Sequence, residues 1–359
     1  MHFPAREDQE YTQKDRLKGR KLIIPVFVPH MGCPHDCCFC NQRTISGRQA
    51  PPTEQLVAET VQSYEKIAAH YGSVEVAFYG GSFTAIPVWQ QERYLRAARS
   101  VCGYDFRVST RPDAVDGPGL KLLKQYGVKT VELGAQSMCD PVLKCSGRGH
   151  LAEDTRRAAA FIKQEGFTLG IQTMLGLPAS DRERERHTAR EVIALKPDLV
   201  RIYPTIVLRD TALAAAYQAG DYKPMELSEA VALCADLVQE YERSGICVIR
   251  LGLQFTDQIS SSGCIVAGPY HPAFGELVRS QIALCWVCSA LEEMRKDSCL
   301  EKCLSFDGYR VRIWTDEDRL VLDVPKKYIS RFVGQHRCNI IYLGEQYGFT
   351  KVKVAAGDL

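Results

Sequence analysis

The chain has 359 residues, 45% of them hydrophobic and 25% charged, a balance that excludes a disordered or collagen-like protein. Forty-five basic against 43 acidic residues leave a formal net charge of +2, which excludes polyanion binding through global charge and leaves room for a local basic patch. No apolar run approaches the ~18 residues that span a bilayer, the N-terminus is polar, and fifteen cysteines come without an export signal. Such cysteines are read as thiols, metal ligands or catalytic sulfur in a soluble cytoplasmic protein with no membrane partner.

Length alone gives a prior of two to three units, or one barrel of roughly 250 residues with a small module. Residues 1–20 read as a basic N-terminal arm, and Lys14, Arg16, Lys18, Arg20 and the adjoining Lys21 are either solvated or in reach of phosphate. From residue 21 to about 255, short β-branched runs alternate with amphipathic helical stretches. Strands are predicted at 21–28, 74–79, 106–109, 130–133, 168–174 and 199–204. Leu56, Val57, Val61, Tyr64, Ile67 and Ala68 recur at helical spacing behind a Thr53 N-cap, and further helices are predicted at 88–101, 119–126, 152–165, 182–194 and 227–243. Six strand-then-helix units in series imply an α/β fold with a parallel sheet and helices outside it; periodicity does not say whether the sheet curls. Residues 256–305 read as loop and helical extension, with Gly and Ser rich up to 272 and a helix at 273–296. A small α+β module occupies 306–359, with strands at 309–314, 319–324 and 350–354 and a turn at 334–337 between two helices.

The strongest signal is Cys33-Pro34-His35-Asp36-Cys37-Cys38-Phe39-Cys40, directly after the first strand. Cys33, Cys37 and Cys40 have the spacing Cys-x3-Cys-x2-Cys, with Cys38 outside that register. Three thiolates on a tight loop hold three irons of a 4Fe–4S cluster and leave the fourth open to an exogenous ligand. Zinc normally takes four protein ligands with wider pair spacing, and core cysteines seldom arrive in a polar loop. This motif, with the aromatic Phe39 before its last cysteine, resembles the radical S-adenosylmethionine (radical SAM) superfamily. The resemblance implies a partial (β/α)6 barrel with its chemistry at the carboxyl ends of the strands, and SAM as second cofactor. It further implies that SAM binds the open iron and is cleaved reductively to a 5′-deoxyadenosyl radical, with an electron donor such as flavodoxin or ferredoxin.

The other unusual stretches also follow predicted strands. Gly80-Gly81-Ser82-Phe83-Thr84 follows the second, where family members meet the SAM amino group; Ser82 stands where many have an acid, so its carbonyl or hydroxyl must serve. Ser109-Thr110-Arg111-Pro112-Asp113 follows the third, and Val131-Glu132-Leu133-Gly134-Ala135-Gln136-Ser137 covers the fourth, making Glu132 and Gln136 candidates for the SAM ribose and methionine. Arg148 matches an arginine near the SAM carboxylate, and Gln172 lies at the end of the fifth strand, facing SAM or substrate. Together with Arg201-Ile202-Tyr203-Pro204 and Val248-Ile249-Arg250, these stretches look like the branch that contains the catalytic subunit of Elongator, which modifies wobble uridines in tRNA. That subunit carries an acetyltransferase domain after its barrel. Here about 80 residues follow and none resemble it, so acetyl transfer is not carried over.

In the tail, Val333-Gly334-Gln335-His336-Arg337-Cys338-Asn339-Ile340 is similar to a KH-type RNA-binding module, with Arg337 in place of the second loop glycine. A small structural domain whose Gly334 ends a helix fits equally well. Cys285, Cys288, Cys299 and Cys303 have zinc-like spacing, yet Ile282, Cys285, Trp286, Cys288 and Leu291 read as one buried helix face. The sequence therefore predicts a radical SAM enzyme acting on RNA, with tRNA favoured. Its rivals are radical chemistry on a small molecule or peptide, and an RNA-binding protein with a structural or redox-sensing cluster.

Overall fold

The computed structural model describes residues 21–28, 33, 37–41, 50–253 and 263–357. The arm at 1–20 lies outside the described residues. Strand β1 (Lys21–Phe27) leads into the cysteine segment and then α1 (Glu54–Ser63), where the Thr53 side chain accepts from the Leu56 amide at 3.2 Å as predicted. Next come β2 (Ser73–Tyr79), α2 (Val88–Arg99), β3 (Asp105–Thr110), α3 (Gly117–Gln125), β4 (Val128–Gln136), α4 (Asp140–Cys145) and α5 (Ala152–Gln164). The alternation continues through β5 (Thr168–Leu175), α6 (Arg182–Ala194), β6 (Leu199–Pro204), β7 (Val207–Leu208), α7 (Ala212–Ala219), α8 (Leu227–Arg243) and β8 (Cys247–Leu251).

Seven of these strands form one parallel sheet in the order β1-β2-β3-β4-β5-β6-β8, with β1 and β8 at its edges. The sequence predicts six units, and the structure adds β8, whose short run follows a helix and lacks the length of the others. The result is an open half-barrel, with the partial barrel that the resemblance implies extended by one strand. Two-residue alternation sorts the strand side chains. Val76, Phe78, Phe106, Val108, Val131, Leu133, Leu169, Ile171, Val200 and Ile202 belong to the apolar core beneath the helices. Their alternate neighbours are polar: Glu75, Arg107, Thr130, Glu132, Gln172 and Arg201. Gly170 stands opposite Glu132 because a side chain there meets Glu132 Cγ at 2.8 Å.

After β9 (Ile265–Ala267), helix α9 (Phe274–Lys296) joins two cores. Phe274 and Val278 belong to that of the barrel, whereas Val287, Leu291 and Met294 belong to that of the tail module. The module sheet is β10 (Glu301–Phe306), β11 (Tyr309–Asp316), β12 (Arg319–Val324) and β13, in that order. Helices α10 (Ile329–Val333) and α11 (Cys338–Tyr347) link β12 to its parallel neighbour β13 (Lys351–Ala356). Two expectations change here. The 256–305 stretch contains β10, which pairs with β11 and extends the module sheet beyond the predicted boundary. On α9 the buried face is Ala283, Leu284, Val287, Ala290 and Leu291, so Cys285 is exposed and Cys288 half-buried; the predicted stripe is one residue out of register. Among the described residues no helix is long and apolar enough to cross a membrane.

Candidate active site

The cysteine segment is fastened to the sheet mouth by its own backbone. The Cys38 amide donates to the Ser146 carbonyl at 3.0 Å, the Cys38 carbonyl accepts from Leu213 at 2.8 Å, and the Cys40 amide donates to the Cys37 carbonyl at 3.0 Å. Phe39 packs between two apolar groups, one with Met174 and Leu177 and the other with Leu213 and Ala214. Burial pushes the Cys38 thiol up to about 11, with Cys37 and Cys145 adding to it, so at neutral pH it is a protonated bystander. The Cys33 residue as a whole is exposed. Its thiol nonetheless sits above the usual range, first through desolvation and then through Cys37, while Arg111 and Arg148 oppose the rise.

Arg148 binds the cysteine segment to β4. One guanidinium nitrogen lies 3.2 Å from Cys37 Sγ, and another donates to the Gly134 carbonyl at 2.5 Å. The Arg111 side chain grips Asp113 with two bonds of 3.0 Å and donates to the Arg148 carbonyl. Arg111 Nη1 and Arg148 Nε are buried without a partner. Buried donors are ordinarily paired, so a bound anion beside the cysteines fits this vacancy of partners, as the carboxylate of SAM would. Among the described residues no three His, Cys, Asp or Glu side chains converge on one metal ion. A 4Fe–4S cluster spreads its ligands over several irons and needs no such convergence.

Gly80 has φ +98, a backbone that glycine adopts without strain, and it carries the chain past the strand end. Ser82 is fully buried and its groups are spent on protein. Its Oγ shares a hydrogen bond with Thr110 Oγ1 at 2.9 Å and accepts from the Arg111 amide at 3.1 Å, and its carbonyl accepts from Ala85 at 3.1 Å. These bonds tie Ser82 to the end of β3 and to the turn that follows Gly81. Gln136 and Gln172 do meet, at 3.2 Å. The β4–β5 register shifts between Gly134 and Gln136, and Gln136 sits at φ +66, so a bulge re-aims its side chain.

Glu132 departs from expectation. Its carboxylate is bound by Arg107 and, at 3.0 Å, by Arg201, inside a buried network that also holds Glu75. Lys21 and Thr130 complete the Glu75 shell at 2.8 and 2.9 Å. With both guanidiniums on it, Glu132 is part of a charged wall of the site. Sequence reasoning missed this network, although charges alternating with valine and isoleucine in Val74-Glu75-Val76, Phe106-Arg107-Val108 and Val200-Arg201-Ile202 mark it. His150, only 2% exposed, was missed likewise; burial first, then Arg148 and Arg111, push its pKa to about 4, so it is a neutral imidazole.

A cysteine triad at the mouth of a parallel half-barrel, beside unpaired arginine donors, defines an iron–sulfur enzyme that takes an anionic ligand. The family model described as "Radical SAM superfamily" matches residues 27–190, and that described as "Radical_SAM C-terminal domain" matches 197–283. The chain belongs to the radical SAM superfamily, resembles its Elongator-like branch, and is an enzyme whose cofactors are a 4Fe–4S cluster and SAM. A tRNA uridine(34) acetyltransferase of Methanocaldococcus jannaschii is 25% identical over 58% of this chain and 47% of its own length. Human Elongator complex protein 3 is 26% identical over 63% of this chain and 50% of its own. The chain spans about half the length of these curated relatives. In fold it is similar to Methanocaldococcus infernus Elp3 with an N-terminal deletion, with TM-score 0.60, 17% identity, and 94% and 93% of the two chains covered.

Proposed function

We propose that this radical SAM enzyme modifies RNA, with tRNA the favoured substrate, in the cytoplasm. The observation that carries the chemistry is Arg148, which joins a cysteine sulfur to the carboxyl end of β4 and so fixes the thiol loop over the strand ends. The names of the matched relatives carry the substrate class, and fifteen free cysteines suit a reducing compartment.

In this reading Cys33, Cys37 and Cys40 hold three irons. Gly80 and Gly81 let backbone approach the SAM amino group, Gln136 and Gln172 present paired amides to its polar groups, and Arg111 and Arg148 hold its carboxylate. Ser82 and Phe39 keep the two loops in place. When bound, the cluster and SAM supply a carbon radical that takes hydrogen from substrate, on an electron from a donor such as flavodoxin or ferredoxin. The chain's own work is positioning and exclusion of water. Neutral His150 adds no third positive charge beside the two arginines.

The test is anaerobic reconstitution with iron and sulfide, then reductant and SAM, with 5′-deoxyadenosine quantified against Cys37→Ala. The expected result is production that vanishes in the variant and rises with tRNA. A rise with metabolites or peptides and not with tRNA overturns the RNA reading. A well-formed cluster that yields no deoxyadenosine favours an RNA-binding protein with a structural or sensing cluster.

A further inference from the structure

The barrel and the tail module meet along α9, and a cleft of about 390 Å³ opens there. Arg250, His271, Glu276, Arg279 and Arg331 line it. Arg250 comes from β8, the last strand of the sheet, and it precedes the carboxyl end where chemistry in such barrels takes place. Arg331 comes from α10, three residues before the Gly334–Arg337 turn.

That turn is built against the cleft wall. Asn339, 3% exposed, donates to the Ser280 carbonyl at 3.2 Å, Ser280 Oγ at 3.0 Å and the Arg331 carbonyl at 3.0 Å, so α11 is stapled to α9 one residue from Arg279. Gly334 has φ +76, and a Cβ there meets Cys338 Sγ at 2.6 Å and the Asn339 amide at 3.0 Å, so only glycine fits. His336 and Arg337 then follow at φ +51 and +64, exposed to solvent.

The charges along this line are incompletely neutralised. Arg279 is held by Glu242 at 2.7 Å and Arg331 stands 3.8 Å from Asp307, with Glu276 on the lip. Among the described residues Arg250 finds only the Gly252 carbonyl, at 3.4 Å, and Arg337 has no carboxylate partner. Lys327 also lacks one and lies over the Tyr309 ring at 3.7 Å. A chain with net charge +2 has little general attraction for polyanions, so the open guanidiniums of Arg250 in the cleft and Arg337 in the turn beside it suit a local one.

We infer that the turn and cleft form a groove for the phosphodiester backbone of an RNA strand, running from Arg337 past Arg331 to Arg250 and on to the strand ends of the barrel. This deepens the tRNA reading and rests on it. Phosphate contacts of this kind position a strand without reading its sequence, which leaves base choice to the barrel mouth.

The experiment is fluorescence anisotropy of unfractionated tRNA on the reconstituted full chain, across a salt series. Arg250→Ala and Arg337→Ala each weaken binding several-fold, the double variant by about tenfold or more, and each lost phosphate contact lowers the salt slope by about 0.7–0.9. Arg337→Lys restores much of the loss, because a point charge suffices for phosphate. Arg157→Ala, on α5 in the outer helix layer, leaves affinity unchanged. Wild-type affinity and slope in the double variant, or an equal loss in Arg157→Ala, overturn the groove while tRNA stays the substrate. A wild-type chain that binds no tRNA overturns the substrate reading, and the groove with it.

Discussion

The half-barrel and the tail module bury opposite kinds of surface. On the polar face of the barrel sheet, Glu75, Arg107 and Glu132 are 1%, 2% and 4% exposed and joined in one ion network. The module interior is apolar and aromatic instead. Phe306 contacts Trp286, Tyr328 and Phe332 edge to face at 5.4, 5.8 and 4.9 Å, and the buried polar groups there are Ser280 and Asn339, which bond each other. Taking charges out of water costs several kcal/mol per ion, and replacing a buried pair by hydrophobic packing is often neutral or stabilising. A polar barrel interior is thus poorly explained by stability and well explained by a ligand that needs fixed charges around it. The module carries its charge outside.

Removing one member of each interior tests this contrast. Arg107→Met leaves Glu75 and Glu132 to share Lys21 and Arg201, and the expected cost is about 4–5 kcal/mol, the upper end for a broken buried pair. Urea unfolding reads the loss, and SAM binding falls with it because the wall of the site shifts. Phe332→Ala opens a cavity in the module and costs about 3–4 kcal/mol. Hydrogen exchange then rises across 301–357 while the barrel strands stay protected. If Phe332→Ala also unprotects the barrel strands, α9 transmits the damage and the two interiors are one cooperative unit.

Legibility differed between the two regions for a physical reason. Strand and helix periods of 2 and 3.6 are local, so the strand–helix alternation and the Thr53 cap were readable from residues alone. Ligand spacing is local too, which is why Cys33, Cys37 and Cys40 are the residues proposed to hold the cluster. Glu132 was readable as a site residue but not in its role, since Arg107 and Arg201 come from strands 25 and 69 residues away. The hydrogen bond of Ser82 to Thr110 was illegible for the same cause, since its partner lies 28 residues on. In the module, β10 was hidden because Glu301–Phe306 alternates weakly and owes its extension to β11.

His150 sharpens the contrast through pH. A histidine held near pKa 4 in the fold and near 6.5 unfolded binds fewer protons folded, so its contribution falls as pH drops below 6.5. Between pH 6.5 and 5 the wild-type chain should lose about 1.5 kcal/mol relative to His150→Gln. The subtraction matters because Glu185, pushed up to about 7 by burial, works in the opposite sense over an overlapping range. Parallel pH profiles for the two chains would mean that water reaches the imidazole and that this part of the barrel is not dry.

The smallest effect concerns Arg337, which occupies φ +64 with no side-chain cap on α11. A left-handed backbone costs a non-glycine residue about 1–2 kcal/mol, and glycine gives back about 0.5–1 through its larger unfolded-state entropy. Arg337→Gly should therefore stabilise the module by about 0.5–1 kcal/mol in urea unfolding while tRNA affinity drops. Stability and binding moving in opposite directions is what a strained residue kept for its charge predicts. If Arg337→Gly leaves tRNA affinity intact, the arginine is only a tolerated loop residue, and the module's exposed charge loses its part in the contrast with the barrel.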